Sequence, residues 1–213
     1  MYTLYWSPTG ANMAAHAALI EIGAPFELIR VDIDKGEHRT LAYRKIQPHS
    51  RVPALRHGDL VMYESAAILL YLADRHPEAG LAPDLKSPER GLFDQWLMHL
   101  TNTVQEHEMH WFHPDMYIDG APMQGALKAH AEQRIEGSFR YFDGVLAERG
   151  PYLLGERFSA VDLFFYMLGF WTRRMPRPAF SFPQVKRQLA LVHDRPAVAT
   201  MLRDEGIAFD LNA

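Results

Sequence analysis

Two kinds of apolar spacing run along this chain, and one gives way to the other near residue 77. Before that point short strand-length runs alternate with helical ones; after it every periodic segment has the spacing of a helix. Thr3–Trp6 reads as a short strand closed by Ser7-Pro8. Asn12–Ile22 carries an apolar face and stops at Gly23, the residue that best accepts a left-handed conformation past a helix end. Phe26–Val31 is a second strand, followed by the polar loop Asp34-Lys35-Gly36-Glu37-His38 and a short helix over Leu41–Ile46. Pro53–Arg56 and Leu60–Met62 predict a hairpin turning at Gly58-Asp59, and Glu64–Arg75 predicts a compact apolar helix that ends before Pro77. The order β-α-β-α-β-β-α implies a parallel pair from the strand–helix–strand unit and an antiparallel pair from the terminal hairpin.

Pro77, Pro83 and Pro88 punctuate the stretch that follows, which reads as a linker. The pattern therefore divides the chain into an α/β domain at 1–77, a linker at 78–87 and an all-helical domain at 88–213. In the helical part Leu92, Trp96, Leu100 and Val104 recur on one face, as do Ile135, Phe139, Phe142 and Leu146 before Gly150-Pro151. Leu163–Trp171 is apolar nearly all round, so it is expected to be the buried central helix. Ser159-Ala160-Val161-Asp162 opens it with the signature of a capping box, and Phe158 with Leu163 can form the accompanying hydrophobic staple. Pro176, Pro178 and Pro183 interrupt the chain before two shorter helices.

Composition narrows the function classes. The 213 residues are 48% hydrophobic and 23% charged, with a formal charge of −4, ordinary for a globular protein and enough for two small cores. No basic stripe is available to neutralise a phosphate backbone, so nucleic acid is not an expected partner. No apolar run approaches the ~18 residues of a membrane span. Met1-Tyr2-Thr3-Leu4-Tyr5 lacks the charged-then-apolar pattern of a signal peptide, and the expectation is a cytoplasmic protein with no membrane partner. Cysteine is absent, which removes disulfides, Cys-based metal sites and a Cys nucleophile together.

Two short runs carry candidate chemistry. Arg51-Val52-Pro53-Ala54 enters a strand, and Tyr63-Glu64-Ser65-Ala66 begins a helix. A cis bond at Val52–Pro53 would reverse the chain and leave the Val52 amide and carbonyl to pair with an extended ligand backbone. The open amides of the helix that follows suit a ligand carboxylate, with the Ser65 hydroxyl adding a bond and the Glu64 carboxylate able to hold an ammonium group. A histidine-rich run, His107-Glu108-Met109-His110 with His113, misses the His-Glu-x-x-His spacing of zinc proteases by one residue, and no third and fourth ligands follow; no metal is expected there.

With these residues in view, the chain resembles the glutathione transferase superfamily, in its bacterial, cytosolic form without a catalytic cysteine. The resemblance rests on Val52-Pro53, Glu64-Ser65, the element order and the later run Leu154-Gly155-Glu156-Arg157-Phe158-Ser159-Ala160-Val161-Asp162, and it spans nearly the whole chain. It implies a thioredoxin-like N-terminal domain followed by an all-α bundle, a homodimer, and glutathione as cosubstrate. By the same resemblance Val52 meets the cysteinyl part of glutathione, Pro53 beside it belongs to the glutathione-binding set, and Glu64 and Ser65 hold its γ-glutamyl end, while His38 and Arg51 lie where a side chain for the glycyl carboxylate is often placed. The resemblance also implies that the thiol is activated at the first strand–helix turn, Ser7-Pro8-Thr9-Gly10-Ala11-Asn12. A match to cysteine-type enzymes puts Ala11 at the Cys position, a match to serine-type enzymes puts Thr9 at the hydroxyl, and Thr9 with Asn12 is similar to members that use a Thr–Asn pair. Thr9 and Asn12 are the candidate catalytic residues. Trp111, Phe112, Tyr117 and Tyr166 are the candidate walls of a pocket for a small apolar electrophile, as in detoxification. Two other outcomes share this resemblance: a glutathione-binding or scaffolding protein without catalysis, and a glutathione-dependent disulfide reductase in which two glutathione molecules supply both sulfurs.

Overall fold

The computed structural model describes residues 1–211, which form two compact units. One contains Met1–Asp84 together with the segment that begins at His193; the other is Leu85–Val192.

A mixed sheet with strand order β2-β1-β3-β4 organises the first unit. Strand β1 (Tyr2–Trp6) pairs in parallel with β2 (Phe26–Arg30), from Tyr2 opposite Phe26 to Trp6 opposite Arg30. On its other side β1 runs antiparallel to β3 (Ala54–His57), and β3 forms a hairpin with β4 (Leu60–Tyr63). Helix α1 (Met13–Ile22) crosses between the parallel strands and ends, as the sequence predicts, at Gly23 with φ 70°. Its face Met13, Ala14, Ala15, Ala18 and Leu19 is buried. The short α2 (Leu41–Arg44) begins at Thr40, whose side chain accepts from the Tyr43 amide. Tyr43 then packs with Tyr5, Val31 and Ala54, and Ile46 and Val52 lie against that cluster. Helix α3 (Ser65–Arg75) closes the order and buries Ile68, Leu69 and Leu72. These elements make a thioredoxin-like domain followed by an all-helical one.

The second unit is built from α4 (Glu89–His99), α5 (Glu106–Phe112), α6 (Ala121–Arg149), α7 (Ala160–Trp171) and α8 (Pro183–His193). Every residue of α7 is buried, the outcome expected of a helix apolar on all sides. At Gly169 α8 packs closely: a β-carbon there would stand 2.8 Å from Leu189 Cδ2. The Ser159–Asp162 capping box is present. Asp162 Oδ2 accepts from the Ser159 amide at 2.9 Å and hydroxyl at 3.1 Å, and Oδ1 accepts from the Leu153 amide at 3.0 Å and Gln188 Nε2 at 3.1 Å.

Two elements differ from the sequence reading. The stripe Leu92 to Val104 is not one regular helix, because Leu100–Gln105 is π-helical and separates α4 from α5. The last segment, assigned by its helical spacing to 88–213, clusters instead with the first unit. Helix α9 (Pro196–Asp204) buries Ala197, Val198, Met201 and Leu202 and packs on α1. Arg195, just before it, holds Glu21 of α1 through two bonds of 2.6 and 2.9 Å. Apolar periodicity identifies a helix but not the surface that covers it.

Candidate active site

The link from β1 to α1 is a tight turn closed by the Gly10 amide donating to Ser7 O at 3.0 Å. Pro8 takes the second position, where its fixed φ fits, and Thr9 the third, with φ 59°. A β-branched residue at positive φ is rare and persists where surrounding contacts hold it. Thr9 is exposed at the tip. Beneath it the turn is closely packed: a β-carbon on Gly10 would lie 2.5 Å from Asn12 Oδ1 and 3.0 Å from both Ser7 O and Val52 Cγ2. The turn therefore rests directly on Val52.

Asn12 does not point outward. It is fully buried, its Oδ1 accepts from the Ser7 amide at 3.1 Å, and its Nδ2 donates to Glu205 Oε1 at 2.8 Å. The expectation that Asn12 offers its amide to a ligand sulfur is revised accordingly: the amide is committed to the interior and shapes the turn. Glu205, also buried, accepts from His16 Nδ1 at 3.0 Å through the same oxygen. Burial pushes the Glu205 carboxyl up, and the bonds from His16, Asn12 and the Thr9 amide draw it back.

The Val52–Pro53 bond is cis, as the sequence predicts. The residues before it are fastened from both sides. The Arg51 carbonyl accepts from the Tyr43 hydroxyl at 2.8 Å, and the buried Gln47 Oε1 accepts from the amides of His49 at 2.7 Å and Arg51 at 3.3 Å. Burial drives the Tyr43 hydroxyl well above its ordinary range, so it stays a donor. Among the described residues the Val52 amide and carbonyl have no hydrogen-bond partner. Glu64, exposed and at φ 72°, precedes α3, and Ser65 is its first residue. The Ser65 hydroxyl donates to Ala11 O at 2.7 Å, tying the start of α3 to the turn. Turn, Val52 and the start of α3 are thus contiguous.

Arg51 is an exposed cation. His38 is buried, Arg39 Nε donates to its Nε2 at 3.2 Å, and burial with the Arg39 charge lowers its pKa below the usual imidazole value. At neutral pH it is an uncharged ring with one N–H to give.

In the helical unit the four aromatic candidates separate. Trp111 and Phe112 meet edge to face at 4.9 Å, and Phe112 meets Trp171 at 6.2 Å. Trp111 also reaches Glu132 Oε2 at 3.4 Å and carries Lys128 Nζ over its ring at 4.1 Å. Tyr117 stands edge-on to His110 at 4.3 Å, and Tyr166 is enclosed in α7. In the histidine-rich run Glu108 is fully buried, whereas His110 is half-buried and paired with Glu106 at 3.3 Å.

His16, Gln47 and Glu205 escape the sequence reading. His16 leaves one signal, an ionisable residue inside the otherwise apolar run Ala14-Ala15-His16-Ala17-Ala18. Glu205 leaves none, since nothing local marks a carboxylate whose partners lie 189 and 193 positions away.

The chain shares these features with a known class, two-unit proteins that join a thioredoxin-like domain to a helical one. Residues 1–74 match the model of the glutathione S-transferase N-terminal domain, and 125–200 match that of its C-terminal domain. Glutathione S-transferase 3 of Zea mays is 31% identical over 211 residues, covering 91% of this chain and 90% of the relative. Glutathione S-transferase GstA of Escherichia coli O157:H7 is 25% identical over 206 residues, covering 96% and 98%. A crystal structure of a glutathione transferase homologue from Sulfitobacter, with bound glutathione, superposes with a TM-score of 0.89 at 26% identity, covering 98% of this chain and 99% of that one. The chain belongs to the glutathione S-transferase family, and with it to the transferases that conjugate glutathione.

Proposed function

We propose that this transferase binds glutathione along Val52, Pro53, Glu64 and Ser65 and activates its thiol at the Thr9 turn for attack on a small apolar electrophile. The observation that carries the reading is the unpaired Val52 backbone beside the cis Pro53, joined through Gly10 and the Ser65–Ala11 bond to both the turn and the start of α3.

In this reading the cysteinyl backbone pairs with the Val52 amide and carbonyl as an added strand would. The γ-glutamyl carboxylate meets the amides at the start of α3, and its ammonium meets the Glu64 carboxylate. Arg51 takes the glycyl carboxylate, with His38 as a neutral donor. The thiol, whose free pKa is about 8.5, is favoured as thiolate by the Thr9 hydroxyl and the turn amides. Such donors lower a thiol pKa by roughly one to two units. Asn12 holds the turn in shape rather than touching sulfur. Trp111 and Phe112, with Tyr117 and the buried Tyr166, are the aromatic residues proposed to supply apolar surface for the electrophile. We also propose that the protein works as a cytoplasmic homodimer.

The test is a panel of electrophile, disulfide and peroxide substrates assayed with glutathione, beside calorimetric binding of glutathione alone. Turnover of apolar electrophiles is the expected result. Binding without any turnover would make the protein a glutathione carrier, and turnover of disulfides alone a reductase; either replaces the reading.

A further inference from the structure

We infer that Glu205, brought from the far end of the chain, is a positioning residue that sets the shape of the thiol-activating turn, an inference that rests on the role proposed above for that turn.

Donors and acceptors decide how Asn12 sits. An asparagine amide has an accepting end and a donating end of nearly the same shape, so its orientation is decided by its neighbours. Asn12 has the Ser7 amide on one side, a donor, and the Glu205 carboxylate on the other, an acceptor. The carboxylate admits only the NH2 end of Asn12, which obliges Oδ1 to face Ser7. A third bond, from the Thr9 amide, reaches the same carboxylate. Glu205 thus fastens the turn at Thr9 directly and at Ser7 through Asn12, and between them Thr9 is held at φ 59°. A residue kept in such a conformation needs its surroundings to over-determine it, and Glu205 is the charged part of those surroundings.

The manner of its delivery agrees. Glu205 follows α9 directly, its amide donates to Met201 O at 3.0 Å, and the Ile207 amide donates to Leu202 O at 2.8 Å. The α9 face packed on α1 and the two-pronged Arg195–Glu21 pair fix where that helix ends. A carboxylate is an expensive way to fill a cavity. Glu205 Oε2 and His16 Nε2 are both buried without a hydrogen-bond partner among the described residues, a burden that apolar side chains of the same size would not carry. Here the carboxylate does what an apolar filler could not, since it dictates which end of Asn12 faces Ser7.

The experiment compares the unmodified protein with Glu205→Gln and with the double variant Asn12→Asp/Glu205→Gln, each checked for folding by circular dichroism. Three quantities are read: glutathione affinity by calorimetry, the pH titration of the bound thiolate by ultraviolet absorbance, and turnover. In Glu205→Gln the new NH2 group competes with that of Asn12 for orientation. In the double variant the same NH2 group meets a carboxylate at position 12, which still accepts from the Ser7 amide, so the donor–acceptor order is restored with its polarity reversed. Glu205→Gln is expected to bind glutathione within about threefold of the unmodified protein, because the Val52 clamp is untouched, while the bound thiol titrates about one unit higher and kcat falls roughly tenfold to a hundredfold, the scale of a small misplacement of reacting groups. The double variant is expected to recover most of both. A folded Glu205→Gln with unchanged thiol titration and turnover overturns the inference while leaving the glutathione reading intact. Loss of folding in both variants also overturns it, since Glu205 is then a stability residue. Absence of glutathione binding by the unmodified protein refutes the glutathione reading itself, and this inference with it.

Discussion

Gly10 shows how finely the turn is set. Any side chain there meets Asn12 Oδ1, Ser7 O and Val52 Cγ2 at once, so it presses on the turn and on Val52 together. Gly10→Ala is therefore expected to push the turn off Val52, with an overpacking cost of roughly 1–3 kcal/mol. Calorimetry should show glutathione affinity lowered by about tenfold or more, and an unchanged affinity would mean that the ligand does not use this junction. Glu64 makes the complementary case. Glu64→Gln keeps the shape and removes the charge that the proposal assigns to the ligand ammonium, and a loss of charge assistance is expected to weaken binding by about tenfold. His110→Ala, in the histidine-rich run, should leave affinity within about twofold. Equal effects of the two substitutions would displace Glu64 from the site.

At the scale of elements, the start of α7 holds a heavily bonded carboxyl. Asp162 is fully buried, and burial raises its pKa from the ordinary 3.8 to about 6 in spite of the bonds from Leu153, Ser159 and Gln188. Because the folded state holds this proton more tightly than the unfolded chain, the associated stabilisation is fully present below about pH 4 and is lost as pH rises through about 6. Urea unfolding of the protein against Asp162→Asn is expected to show that difference shrink over this window; a pH-independent difference would place the Asp162 pKa at its ordinary value. The sequence revealed this element fully, since capping residues and an all-round apolar helix are local signals. It revealed the β-α-β-α-β-β-α order for the same reason: strand alternation, Gly23 and Gly58-Asp59 are read within a few residues. It missed the π-helical Leu100–Gln105, because the apolar stripe continues across it. It placed α9 in the wrong unit, because the partner surface on α1 lies nearly the full chain away.

For the whole molecule the same division between local and distant signals applies to the site. Val52-Pro53 and Glu64-Ser65 are legible because each is a short run with its own chemistry. The bracing behind them, Gln47 under Arg51 and Glu205 under Asn12, is assembled by folding alone. The proposed homodimer belongs to this scale as well: a first unit of this size has limited core, and a symmetric partner would cover more apolar surface. Light scattering at micromolar concentration is expected to report twice the mass of one chain, and a monomer there would remove the dimer from the proposal.

The first unit is composed of two separated stretches of chain, and that division orders its assembly in time. A ribosome makes Met1–Asp84, then all of Leu85–Val192, and only then the segment that begins at His193. At about 5–20 residues per second, the intervening stretch takes roughly 5–20 s to synthesise. Throughout that interval the nascent sheet waits with the α1 face that α9 will cover still open to solvent and to chaperones. The helical unit is complete before the first unit is, so in the living cell the turn between β1 and α1, which Glu205 braces through Asn12, is among the last parts of this enzyme to take shape.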